Sequence, residues 1–160
     1  QIMPQLTKIF GEYEVFSVEE QLYEEIKDSE TGYNFKGFID LVLRTSDGKF
    51  HIIDWKTCSW GWDAKKRSDK YITYQLTLYK KFWCQKYNID PKLVETHFAL
   101  LKRTVKKNNV EIFRVTSGPR KIENATKLLT TALIHISKQN HVKDRRSCQG
   151  CEFYKTEHCK

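Results

Sequence analysis

Three side chains raise the question of chemistry. Asp40 sits in Gly37-Phe38-Ile39-Asp40-Leu41-Val42-Leu43, a carboxylate in an otherwise apolar run. Asp54 repeats the pattern in Ile52-Ile53-Asp54-Trp55-Lys56-Thr57, with Lys56 two positions on. A charge isolated among apolar neighbours is costly, so each acid needs a partner, a metal or a place at a cleft. Residues two apart on an extended chain share a face, so Asp54 and Lys56 point the same way. Two carboxylates can hold Mg2+ or Mn2+ through oxygen. Such a cation lowers the pKa of water and stabilises charge growing on a phosphate. A neighbouring lysine orients or deprotonates that water, or stabilises the transition state. The same residues also suit a buried Asp–Lys ion pair that only holds the hairpin together.

These residues need strands to carry them. Ile2, Leu6, Ile9 and Phe10 have helical spacing. Tyr13 to Ile26 and Phe35 to Arg44 read as strands, and Asp47-Gly48 is a hairpin signal leading into a third strand, Phe50 to Cys58. Tyr71 to Tyr87 is helical, with Ile72, Leu76, Tyr79 and Trp83 on one face, and Asn88 with Asp90-Pro91 ends it. Val94 to Arg103 and Val110 to Val115 form two further strands joined at Lys107-Asn108-Asn109. Pro119 opens a last helix, with an apolar stripe of Ile122, Ala125, Leu128, Leu129, Ala132, Leu133 and Ile136. This order predicts an α/β fold, a central mixed sheet flanked by helices.

With these elements in place, Gly37-x-x-Asp40, Asp54-Trp55-Lys56-Thr57 and Gln75-Leu76-x-x-Tyr79 resemble, in that order, the RecB-like exonuclease branch of the PD-(D/E)XK nuclease superfamily. That branch includes the nuclease domains of RecB and AddB and CRISPR-associated and phage exonucleases. The resemblance covers about residues 35–103 and implies a restriction-endonuclease-like core. It implies that Asp40 and Asp54 bind metal, with the backbone carbonyl of Trp55 as a further ligand. Lys56 would be the catalytic lysine, and Gln75 with Tyr79 would support the site and contact DNA. Residues i and i+4 share a helix face, which agrees with that pairing and equally with ordinary helix packing. Many members add a ligand from an upstream helix. Glu12, Glu14, Glu19 and Glu20 are candidates by location only; otherwise the ligand lies before Gln1 or the protein does without it.

Charge supports a polyanion partner. The net charge is +8, and the two parts differ: residues 1–60 hold 6 Lys/Arg against 11 Asp/Glu, residues 61–160 hold 22 against 9. Trp60, Trp62, Lys65, Lys66 and Arg67 follow the lysine strand directly and are expected to stack bases and neutralise phosphates, with a packed loop and a solvated basic tip as the alternative. Lys102 belongs to a second basic cluster, with Arg103, Lys106 and Lys107. Residues 1–147 read as the nuclease core and 148–160 as a Cys-rich tail. The tail's Cys148, Cys151 and Cys159 resemble the C-terminal three-cysteine set with which several RecB-like nucleases hold a [4Fe–4S] cluster, the fourth thiolate coming from upstream. Zinc held by these cysteines and His158, or free thiols, are the rival readings. No apolar run reaches the ~20 residues of a membrane span and no signal peptide opens the chain. The expectation is a cytoplasmic, prokaryotic or phage-encoded DNA exonuclease acting in repair, recombination or phage DNA processing, with a helicase or recombination partner. A non-catalytic DNA-binding module and a structure-specific endonuclease are the alternatives.

Overall fold

In the computed structural model, which describes residues 2–29, 31–141 and 145–159, the segments read as strands become strands and the helically spaced ones become helices. Gln1 and Lys160, the outer ends of the two expected segments, lie outside the described residues. The order is α1 (Ile2–Phe10), β1 (Tyr13–Glu25), β2 (Asn34–Thr45), β3 (Phe50–Cys58), α2 (Ala64–Ser68), α3 (Lys70–Tyr87), β4 (Val94–Lys102), β5 (Val110–Val115) and α4 (Pro119–Ser137). The short α2 was not expected. Asp63 starts it by accepting the Lys66 N–H at 2.7 Å, and Asp69 caps α3 by accepting from Tyr71 N at 2.8 Å. Asn88, left-handed at φ 53°, closes α3.

The five strands lie in sequence order, β1-β2-β3-β4-β5. Only β3 and β4 are parallel, because α3 carries the chain back between them; every other pair is antiparallel. The mixed sheet predicted from sequence is therefore present. On one face, Ile52, Phe98 and Leu100 pack with Leu76, Phe82 and Trp83 of α3. On the other, Leu41, Leu43, Ile53 and Ala99 pack with Leu6 and Phe10 of α1. The stripe on α4 is only partly covered: Ala125 is buried, whereas Leu128 and Ile136 stay exposed. Among the described residues, no helix is long and apolar enough to cross a membrane.

Candidate active site

The site opens where two strands part. β3 pairs with β4 along its whole length, Phe50 to Cys58, but with β2 only as far as Ile53, opposite Leu41. Beyond that point β2 continues with β1 alone. The Trp55 N–H is then left without a strand partner on that side, and Asp40 Oδ2 accepts it at 2.7 Å. Unmet backbone donors in a half-buried gap are costly, so this bond fixes Asp40 beside β3. Asp54 lies next in the chain and is only 3% exposed. Its Oδ2 is 2.7 Å from Lys56 Nζ as an ion pair, and no other donor reaches this buried oxygen. Burial pushes the Asp54 carboxyl up; Lys56 opposes the shift and the charge on Asp40 adds to it.

The α3 helix packs Tyr79 against β2, beside Phe35 and Gly37. Gln75 Nε2 donates to the Tyr79 hydroxyl at 3.1 Å, as i,i+4 neighbours can. Gly37 is tied to this pair by space: a Cβ there would stand 2.7 Å from Tyr79 Cε1. The glycine of the first motif thus makes room for the tyrosine of the third.

The donor set fits a hard divalent cation. Two carboxylates converge, and Asp54 Oδ2 is a buried anionic oxygen short of donors, a state a cation would relieve. The four upstream glutamates divide. Glu20 is committed elsewhere, accepting from Lys86 Nζ at 2.8 Å and Trp83 Nε1 at 3.1 Å. Glu14 pairs with Arg44, and Glu12 is exposed near the far end of β2. Glu19 lies across from Asp40, between the paired positions Val18–Leu41 and Glu20–Ile39, at an unusual φ of 48°.

The sequence matches the PD-(D/E)XK nuclease superfamily over residues 4–156. The chain belongs to that superfamily. The match crosses the expected boundary at residue 147 and takes in Cys148 and Cys151. A solved structure of SSO0001 superposes with TM-score 0.54 at 19% identity, over 95% of this chain and 63% of that one. A protein of Eubacterium rectale described as a presumptive exonuclease superposes with TM-score 0.57 at 14% identity, over 98% of this chain and 55% of that one. Both likenesses show the shared α/β fold, and this chain spans only part of each structure's length. The sequence matches no curated protein.

In this superfamily member the loop after β3 divides its residues. Trp60 is 74% exposed and Trp62 only 8%. Trp62 was expected to stack bases; its ring instead packs on Phe98 at 5.1 Å and Phe113 at 6.1 Å and serves the core. Lys66 Nζ lies 4.8 Å above that ring. Arg67 is bound to Glu111 at 2.6 Å and Lys102 to the same carboxylate at 3.4 Å, so Arg67 already holds the loop to β5 and Lys102 already ties the end of β4 to it. Burial raises the Glu111 carboxyl, but the two cations more than offset it and hold it below its ordinary value. Lys65 is exposed. In the tail the thiols of Cys148, Cys151 and Cys159 are free. Among the described residues, no three ligand atoms of these cysteines and His158 come within 4.8 Å of one another, as a closed zinc site requires.

One cluster escaped sequence reasoning. His51, Glu95 and His97 meet on the α1 face. The signal was present only as Glu95 and His97 two apart on one strand; nothing local announced His51 as their neighbour.

Proposed function

We propose that this chain is the catalytic part of a divalent-metal-dependent DNA exonuclease. The observation carrying this reading is the parting of β2 from β3, which sets Asp40, through the Trp55 N–H, beside the donor-poor Asp54 and its Lys56. Asp40 and Asp54 would hold Mg2+ or Mn2+, with the Trp55 carbonyl as a third oxygen. A cation held there supplies charge neutralisation for a phosphodiester and lowers the pKa of water. Lys56, held against Asp54, offers an ammonium that positions water and receives charge developing on phosphate oxygen. Gln75 and Tyr79 would support the site, and Trp60 and Lys65 offer an exposed ring and cation to the strand being cut. Membership of the superfamily supports a nuclease; exonuclease action and DNA as substrate rest on the motif resemblance and the basic second part of the chain.

Degradation of end-labelled linear DNA and covalently closed circular DNA, with Mn2+ and with EDTA, tests this. Metal-dependent loss of the linear form alone, reduced roughly 10²–10³-fold or more by Lys56→Ala, is the expected result. Nicking of closed circles would replace it with an endonuclease. Salt-dependent DNA binding without cutting, unchanged in Asp54→Ala, would make the chain a binding module.

The tail extends the proposal. Cys148, Cys151 and Cys159 would give three thiolates to a [4Fe–4S] cluster completed by a thiolate from elsewhere. Iron and sulfide analysis of anaerobically purified protein checks it, and absence of both would leave free thiols.

A further inference from the structure

We propose that His51, Glu95 and His97 form a second cation site, for a transition metal of the zinc class, on the α1 face of the sheet and separate from the nuclease site. The parallel register builds it: His51 pairs with Glu95 and Ile53 with His97, so the three side chains share one face of β3 and β4. His51 Nδ1 and His97 Nε2 are 3.2 Å apart. Glu95 Oε2 is 3.9 Å from the first and 4.0 Å from the second. Around tetrahedral zinc, with bonds near 2.0–2.2 Å, neighbouring ligand atoms stand about 3.4 Å apart. The imidazole pair already has that spacing, and the carboxylate needs to close by about half an ångström.

The outer atoms of His51 and Glu95 are held as metal ligands require. Thr45 Oγ1 donates to Asp47 Oδ1 at 2.5 Å. A hydroxyl has one proton to give, so toward His51 Nε2, 3.2 Å away, it is an acceptor. The proton of His51 is thereby fixed on Nε2, and the Nδ1 lone pair faces the cluster. Arg114 holds Glu95 Oε1 at 3.3 Å, leaving Oε2 turned toward the two histidines. Phe10 of α1 packs on both rings, with centroids at 4.7 and 5.1 Å.

This set is distinct from Asp40 and Asp54. His51 is three residues before Asp54 on β3, hence on the opposite face and about 10 Å along the strand. Two imidazoles with one carboxylate select zinc-class ions, whereas the all-oxygen set across the sheet suits Mg2+ or Mn2+. A cation here would tie the β2–β3 hairpin, the β3–β4 pair and α1 together, a structural role that does not depend on the proposed nuclease activity.

The test is a Co2+ titration of the full chain carrying Asp54→Asn, to silence the nuclease site, and Cys148→Ser, Cys151→Ser and Cys159→Ser, to remove tail thiolates. The expected result is one equivalent of Co2+ with visible absorption free of thiolate charge transfer, displaced by Zn2+. Glu95→Gln, which removes a ligand without opening the core, should weaken binding by at least roughly 100-fold, and Thr45→Val by about 10-fold. No Co2+ absorption in this background, or unchanged binding in folded Glu95→Gln protein, would reduce the cluster to a proton-only His–His hydrogen bond and overturn the proposal.

Discussion

Glu20 and Asp54 are both buried acids, 8% and 3% exposed, and the chain treats them in opposite ways. Glu20 on β1 receives Lys86, Trp83 and Ser17. Burial alone would raise its carboxyl, yet these donors hold it below the ordinary value. Asp54 on β3 has Lys56 as its ion-pair partner and no further donor on that oxygen, and its carboxyl is held up. Burial is common to both; satisfaction is not. A carboxylate supplied with donors ties β1 to α3, whereas one left short at the mouth of a gap stores a demand that a cation can meet. Strained, under-satisfied groups of this kind are expected where function competes with stability.

The sharpest test of this contrast is Asp54→Asn. Under the proposed function it should cut DNA cleavage by roughly 10²–10³-fold or more. It should also raise stability of the metal-free protein by about 0.5–2 kcal/mol in denaturant melts; a loss of stability would mean that Asp54 is an ordinary structural acid. Glu20→Gln should do the reverse, costing about 1–3 kcal/mol by leaving charge-assisted bonds unmade while cleavage by the folded fraction persists. The pH dependence follows from the sign of the Glu20 shift. A folded-state value below the ordinary 4.5 gives stability that is present above 4.5 and lost as pH falls through the folded value. Acid unfolding below about pH 4.5 should therefore be less steep in Glu20→Gln than in the parent.

Gly37→Ala probes the contact between β2 and the Gln75–Tyr79 pair. Its methyl would press on the Tyr79 ring and cost about 1–3 kcal/mol, and Tyr79→Leu in the same chain should recover part of that loss. The smallest stability effect belongs to the exposed ring of the loop, Trp60. Trp60→Ala should change stability by no more than about 0.5 kcal/mol, yet weaken single-stranded DNA binding by about 1–3 kcal/mol, read by fluorescence anisotropy. Trp62→Ala should instead cost about 3–5 kcal/mol of stability, since its ring is in the core.

Much of this was legible in the sequence because it is local. Asp47-Gly48 marked the hairpin and the start of the strand Phe50 to Cys58, and spacing of two put Asp54 and Lys56 on one face. Spacing of four put Gln75 with Tyr79, and the ordered motifs pointed to the superfamily that the chain then matched. What the tertiary structure alone decided depends on residues far apart in the chain. Where β2 leaves β3 is set by how each strand pairs along its length, and that choice opens the gap and turns Asp40 toward Trp55. Trp60 and Trp62 look alike in an aperiodic loop, and only the arrival of Phe98 and Phe113 separates a free ring from a buried one. His51 meets His97 because a helix returns the chain to a parallel partner, and the register of such a pair is fixed by packing of the whole sheet, which no local pattern records.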